Sequence, residues 1–180
     1  MNCPSCKKRS LKPAKLEYGL PGYTCSHCHG FLLDVLTYRS WLESQPKEGE
    51  AKKLTPQSVE DTASAILCPK CSKIMTKYRI SGEVENKLDL CSSCGELWFD
   101  AGEWNLLNQL DLSSKIPQIL SEPWQKVIRS DSLEQAIEKK FEAMFGKTDY
   151  AKIREFREWM AGHQKCVQLQ DYLNRANRSR

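Results

Sequence analysis

Eight cysteines stand in four C-x-x-C pairs: Cys3/Cys6, Cys25/Cys28, Cys68/Cys71 and Cys91/Cys94. Two thiols at this spacing can close a disulfide, act as a redox couple or present two thiolates to a metal. The distance between pairs decides among these. Eighteen residues separate Cys6 from Cys25 and 19 separate Cys71 from Cys91, both inside the window in which a hairpin brings a second pair round to complete a tetrahedral zinc site. Disulfides and coincidence are the alternatives, and the duplicated spacing, with Pro4 and Pro69 after the first cysteine of each set, speaks against both. Thiol–disulfide catalysis calls for a C-x-x-C beside a βαβ pattern, which the chain lacks. The expectation is two zinc ions per chain, one on Cys3, Cys6, Cys25 and Cys28 and one on Cys68, Cys71, Cys91 and Cys94. Four protein ligands leave no position for water or substrate, so this zinc is structural and no catalytic residue is assigned.

Other polar residues compete for a chemical role. In "CSSCGELWFDAGEW" (91–104) the two carboxylates could serve as acid and base, but Asp100-Ala-Gly-Glu103 before Trp104, Leu106 and Leu107 has the form of a capping box, with Asp100 as N-cap and Glu103 reaching back. Leu97, Trp98 and Phe99 read as a small core joining strand to helix rather than a recognition patch. His27 and His29 flank Cys28, and four cysteines already at ligand spacing leave them outside the metal set. His163, after Gly162, reads as a cap or surface residue. Cys166, the ninth cysteine, shares a helical stripe with Leu169, Tyr172 and Leu173, which predicts a buried, inert thiol.

The elements that must position the thiols are hairpins. Ile74, Thr76, Tyr78 and Ile80 alternate with Met75, Lys77 and Arg79, "SGEVEN" turns the chain, and Leu88 and Leu90 lead into Cys91. The first copy is less regular, with Pro13 interrupting "LKPAKLEY" and "GLPG" as the turn. Units of this size bury too little surface to fold well alone, so metal binding contributes folding energy.

Cys68-Pro-Lys-Cys71 followed by "CSSCGELWFDAGEW" resembles the bacterial zinc-ribbon family named after the ribbon of transcription factor IIB, whose second knuckle runs C-x-x-C-G-G, an apolar-Trp-apolar run and D-x-G-E. The resemblance spans residues 68–107. "CSHCHGFLLD" (25–34) keeps the cysteines, the apolar run and Asp34, but has His29 in place of glycine and no Gly-Glu after Asp34, so residues 1–43 resemble a diverged copy. The resemblance implies a ribbon fold and zinc, and it is a weak guide to function.

The remaining chain divides by composition. Residues 44–67 are polar, carry Pro46, Gly49 and Pro56, and read as a linker with a short helix from Thr55-Pro56 toward Leu67. Residues 68–112 hold the second ribbon and its helix, and 113–180 a helical module. In that module a short helix follows Ser121, an amphipathic helix spans Asp131–Phe145 with Asp131-x-x-Glu134 as cap, another runs from Asp149 to Gly162, and the last covers 164–176; three such helices can pack as a bundle. The predicted fold class is therefore α+β, two small β ribbons plus a C-terminal α-helical module.

Charge is dispersed: net +3, −1, −2 and +4 over residues 1–45, 46–67, 68–112 and 113–180. The run "KKRSLK" after Cys6 and the tail "NRANRSR" are basic, but the overall isoelectric point of 8.5 lies below that of most bare nucleic-acid domains. No apolar run is long enough for a membrane span and none resembles a signal peptide, and cysteines in this pattern suit a reducing compartment, so the expected location is cytoplasmic. These features predict a non-enzymatic zinc protein that binds macromolecules as a module or adaptor, with a protein partner ahead of weak nucleic-acid binding and with no membrane or small-molecule substrate. A transcription-factor-like nucleic-acid binder and a zinc-thiolate redox switch are the alternatives.

Overall fold

The fold is that of a computed structural model, which describes residues 1–8, 10–45, 59 and 61–176. The chain divides into two compact units, Met1–Ser130 and Asp131–Arg180. In the first unit the same succession of three strands and a helix occurs twice: β1 Leu11–Lys15, β2 Pro21–Cys25, β3 Phe31–Asp34 and α1 Val35–Ser44, then β4 Thr76–Arg79, β5 Lys87–Leu90, β6 Glu96–Phe99 and α2 Glu103–Gln109. A single turn, α3 Ile116–Ile119, and the start of the long helix α4 Glu122–Phe145 complete it.

All six strands form one sheet in the order β1-β2-β3-β6-β5-β4, each neighbouring pair antiparallel. The two ribbons meet at its centre, where Phe31 pairs with Phe99, Leu32 with Trp98 and Leu33 with Leu97. Leu32 and Trp98 each stand four residues after the last cysteine of their own set, so β3 and β6 meet as counterparts across an approximate two-fold. Side chains alternate across a strand. Phe31, Leu33, Leu97 and Phe99 enter a core with Leu20, Tyr38, Ile80, Leu88, Trp104, Leu107 and Ile119, whereas Leu32 and Trp98 point to the cysteine side with Ile66 and Met75. Both faces of these strands are buried, which explains their unbroken apolar sequences "FLL" and "LWF". It also explains why two segments expected to be separated by a linker share a sheet: either ribbon alone would leave an apolar strand with an unpaired edge in water.

The helical side is tied by aromatic contacts and buried hydrogen bonds. Trp41 of α1 lies edge-on to Trp104 of α2 at 6.0 Å, Phe99 lies edge-on to Trp104 at 5.8 Å, and the Tyr38 hydroxyl donates to the Ser113 carbonyl at 2.7 Å. At the outer edge of β4 the Gln125 side chain imitates a strand, accepting from the Arg79 N–H at 3.1 Å and donating to the Arg79 carbonyl at 2.8 Å. Residues 113–130, expected in the helical module, thus belong to the first unit, with Ile116, Ile119 and Ile128 buried. The opposite edge, β1, is blunted by Pro13 and by exposed Lys12 and Lys15.

The helix expected from Thr55-Pro56 falls largely outside the described residues; over 61–67 the chain is not helical, and Leu67 forms an isolated bridge with Ile74. Residues 74–77 alternate in the opposite sense to that expected: Ile74 and Thr76 are exposed, Met75 is buried, and Lys77 turns inward to pair with buried Asp89 at 2.8 Å.

The second unit contains the rest of α4, α5 Lys147–Ala161 and α6 Cys166–Ala176. No break occurs at Asp131: α4 is continuous from Glu122, so Asp131 and Glu134 lie within it and do not form a cap. Gly146, at φ 78°, ends the helix in a backbone conformation that favours glycine. The expected bundle lacks a core, since no described residue from 131 to 175 is buried. Cys166 is half-buried and Tyr172 exposed, so the predicted buried stripe on α6 does not form. Among the described residues no helix is long and apolar enough to cross a membrane.

Gly30 makes the joint between ribbons testable. A Cβ there would lie 2.1 Å from Trp98 Cζ2 and 2.9 Å from the Phe99 carbonyl oxygen, and Trp98 is fully buried. Gly30→Ala is expected to cost about 2–3 kcal/mol through overpacking, read as a lowered urea midpoint of the zinc-loaded chain. Gly82→Ala, with open space around the new methyl, is expected to stay within about 0.5 kcal/mol of the parent.

Candidate metal centres

Each C-x-x-C pair sits in a turn of one fixed construction. The N–H of the residue after the second cysteine donates back to the first cysteine's carbonyl: Lys7 to Cys3, His29 to Cys25, Ser72 to Cys68 and Gly95 to Cys91, at 2.9–3.0 Å. The first cysteine's own N–H donates to the carbonyl of Lys8, Gly30, Lys73 or Glu96, each at 2.8 Å. The turn closes only if the residue after the second cysteine is left-handed, and Lys7, His29, Ser72 and Gly95 have φ of 62°, 60°, 59° and 72°. His29 therefore occupies a position that glycine fills without strain, which accounts for its place beside the thiols without making it a ligand. The hairpins β1–β2 and β4–β5 then hold the turns in pairs.

The pairing brings Cys3, Cys6, Cys25 and Cys28 together, and Cys68, Cys71, Cys91 and Cys94, with the four sulfurs of each set within 4.8 Å of one another. In the first set Cys3 Sγ lies 3.4 Å from Cys28 Sγ and Cys6 Sγ lies 3.6 Å from Cys25 Sγ. In the second the separations are 3.4 Å for Cys68–Cys94 and Cys71–Cys91, 3.7 Å for Cys71–Cys94 and 3.3 Å for Cys91–Cys94. A tetrahedron with Zn–S near 2.3 Å has sulfurs about 3.8 Å apart, and a disulfide needs about 2.05 Å. All nine cysteines are free thiols. The geometry is that of a four-thiolate zinc centre, and each set holds one zinc ion. The first cysteine of every pair is buried and the second half-buried.

Donors favour the thiolate at Cys25 and Cys91, whereas burial pushes the Cys3, Cys28, Cys68 and Cys94 thiols up. The N–H groups of His27 and Cys28 reach Cys25 Sγ at 3.4 Å and the Ser10 hydroxyl at 2.8 Å. Burial pushes the Cys25 thiol up, but these donors outweigh it and bring it down to about 6. Cys91 is likewise raised by burial and lowered further by its neighbouring cysteines and their N–H groups, to about 7. Lys70 pairs with Glu96 at 2.9 Å beside the second set. Of the histidines, His27 and His29 lie outside both ligand sets, and His163 Nδ1 accepts the Lys165 N–H at 3.1 Å in the turn before α6.

The two carboxylates of 91–104 divide their roles differently from a capping box. Glu103 does reach back, accepting the Asp100 N–H at 2.8 Å. Asp100 does not cap α2: its oxygens accept the Trp98 indole N–H at 2.9 Å and the Thr62 N–H at 2.6 Å, and α2 starts after Gly102 with no side-chain cap. The reason is packing, since residues 61–62 lie against this end of β6 and present an N–H that needs an acceptor. Its counterpart Asp34 does cap α1, accepting the Thr37 N–H at 2.9 Å. Asp61, Asp100 and Glu103 bring carboxylate oxygens within 4.8 Å of one another, with Asn86 donating to Glu103 at 3.4 Å and to the Val59 carbonyl at 2.9 Å. This network fastens the segment between the ribbons to the second one. Sequence patterns gave no hint of Asp61, Thr62 or Asn86, and the expected alternation set Lys77 and Asp89 opposite the apolar face of Ile74, Ile80, Leu88 and Leu90.

Two measurements test these assignments. Freshly purified reduced protein is expected to contain two zinc ions per chain; Cys94→Ser should release one and unfold the second ribbon, and Cys166→Ser should leave metal content and stability unchanged. The second concerns Glu103, whose carboxyl is raised from 4.5 to about 8 by burial, with Asp100 and Asp61 adding repulsion. The folded chain therefore holds a proton there that the unfolded chain has lost, and stability falls as pH rises through that window. Glu103→Gln, isosteric with the protonated acid, should gain on the parent by up to about 1.4 kcal/mol per pH unit between about pH 5 and 8, read as the difference between their unfolding free energies. A constant difference across that range would show that Glu103 is ionised in the fold.

Among known families, the model described as "Transcription factor zinc-finger", a TFIIB-type zinc ribbon, matches residues 2–44. The match falls on the first ribbon, which the sequence reads as the diverged copy. No curated protein and no solved structure matches the chain. Residues 2–44 are thus similar to a TFIIB-type zinc ribbon, and the second four-cysteine centre repeats its turns, its ligand spacing and its strand order, as a tandem pair requires.

Proposed function

We propose that this chain is a non-catalytic interaction protein of a reducing, cytoplasmic setting, in which two zinc-stapled ribbons form a rigid body and the helical unit binds another protein. The observation that carries the reading is the surface of the second unit. Leu133, Ile137, Phe141, Phe156, Trp159 and Tyr172 are between 40% and 71% exposed, in a unit with no buried described residue. Large apolar side chains clustered at this exposure mark a protein-binding surface. The zinc centres support a structural role, because four thiolates complete each coordination shell.

A second reading, nucleic-acid binding, is favoured by the charges of the first ribbon. Lys70, Lys77, Arg79 and Lys87 of the second ribbon all sit in ion pairs, whereas Lys7, Lys8, Lys12 and Lys15 of the first are in none among the described residues. The matched family is described as a transcription factor zinc-finger. Four such cations give a short electrostatic footprint, enough for weak and sequence-independent contact with phosphates.

Titration of labelled duplex DNA, single-stranded DNA and RNA with the zinc-loaded chain separates the two. At 150 mM salt the expected dissociation constants are above micromolar and rise steeply with added salt. The same chain used as bait in nuclease-treated extract of its host is expected to retain a protein that a Phe141→Glu/Phe156→Glu variant does not. Submicromolar binding to any nucleic acid, weakened by replacing Lys7, Lys8, Lys12 and Lys15 with glutamine, would put the nucleic-acid reading first.

A further inference from the structure

We propose, given the two four-thiolate assignments above, that the zinc ions load cooperatively and that residues 62–68 carry the coupling, touching the first centre at Ser5 and entering the second at Cys68. Cooperative loading is a property of the two ribbons and holds whatever the chain binds.

Thr62 is held from both sides. Its hydroxyl lies 2.8 Å from that of Ser5, which stands between the ligands Cys3 and Cys6. Its N–H donates to Asp100 Oδ2 at 2.6 Å, and the other oxygen of Asp100 accepts the Trp98 indole N–H. The same segment then runs into a ligand of the second centre, Cys68. On the way the Ile66 side chain is 1% exposed, its carbonyl accepts the Met75 N–H at 3.0 Å, and Leu67 bridges Ile74, so placing Thr62 helps to place the backbone that leads into Cys68. The core beneath is shared as well. Leu32, Ile66, Met75 and Trp98 form one apolar cluster with Cys3 and Cys25 of the first centre and Cys68 and Cys91 of the second, and the other four ligands pack against it. Both ligand sets stand on one core.

Without a cation, thiolates at these separations repel, and the turn that presents the Ser5 hydroxyl is no longer drawn toward Cys25 and Cys28. Thr62 then loses one of its two anchors, and residues 62–68 must be ordered by the second centre alone. Whichever ion binds first meets the entropy of fixing this segment and closing the shared core; the other finds both in place and binds tighter. Coupling between two binding equilibria is reciprocal, so the effect runs equally from the second centre to the first. Couplings of this kind span about 5–150-fold in affinity. A hydrogen bond of ordinary net strength supplies about fivefold, and with the buried Ile66 the expectation is about tenfold.

Native mass spectrometry of the full chain, equilibrated with chelator-buffered zinc, counts chains holding no, one and two ions. Two independent centres, equal or unequal in affinity, leave at least half of the chains with one ion when half of all sites are filled; tenfold coupling lowers that share to about a quarter. The expected share for the parent is therefore well below half. Thr62→Val keeps the N–H bond to Asp100 and the shape of the side chain, and Ser5→Ala removes the other hydroxyl; each should raise the share to about two-fifths, as loss of about fivefold in coupling requires. Two ions per chain at excess zinc is the control that a variant still builds both centres, and if one variant fails it the other decides. A one-ion share of half or more in the parent overturns cooperative loading. A parent share below half that a fully loaded Thr62→Val or Ser5→Ala variant leaves unchanged assigns the coupling to the β3–β6 seam and overturns the role of residues 62–68. A parent that holds fewer than two ions at excess zinc overturns the assignment of the centres, and cooperative loading with it.

Discussion

Four thiolates held 3.3–3.7 Å apart repel one another unless a cation sits among them, and the fold of the first unit follows from meeting that condition twice. Zinc converts the repulsion into the strongest local tie available to so short a hairpin. Once bound, it fixes two left-handed turns against each other, which sets the register of the strands leaving them. The backbone conformation at Lys7, His29 and Ser72 is then maintained by the metal and by the turn's own hydrogen bonds, although a side chain at such φ costs on the order of 1–2 kcal/mol relative to the right-handed form. Only Gly95 meets the requirement without that cost.

The strands that leave the turns are too apolar to remain alone. β3 and β6 bury both faces, so neither ribbon is complete until the other supplies its partner strand. Counterpart meets counterpart at Leu32 and Trp98, and the indole fits only because residue 30 has no side chain. Tight packing at the seam therefore couples the two metal centres: disturbing one removes the neighbour against which the other ribbon's strand is packed. With the centre of the sheet closed, only two edges remain, and each is managed differently, one by the amide of Gln125 and one by Pro13 with flanking lysines.

What the sequence made legible was whatever repeats with a chemical reason. The eight ligands and their division into two sets followed from spacing, because tetrahedral closure constrains chain length directly. The buried run Leu97-Trp98-Phe99 followed from residue type. Asp100 was half legible: a carboxylate three residues before a glutamate predicts a cap, but Thr62, 38 residues away, competes for its oxygens, and no local pattern reveals that competitor. The joining of the ribbons was hidden for the same reason, since an apolar strand shows that both faces are covered without showing by what. In the helical unit the 3.6-residue period identified α4, α5 and α6, while the expected packing into a bundle failed: no described residue from 131 to 175 is buried, and the groove between α4 and α5 is lined by polar side chains.

The two copies have since acquired different surfaces from the same frame. In the second ribbon three polar contacts turn inward, Lys77 to Asp89, Lys87 to Asp61 and Glu103 to the Asp100 N–H, while Lys70–Glu96 and Arg79–Glu85 lie at the surface. Exposed ion pairs contribute little, but partly buried ones that close on backbone donors fix a segment in one place. In the first ribbon Asp34 caps its helix alone and the lysines face solvent. The start of α4 belongs to that frame, anchored by Trp124 to the Ile80 carbonyl and by Gln125 to Arg79; its remainder belongs to a unit with no buried described residue, so the same helix is held by burial at one end and carries half-exposed apolar side chains at the other.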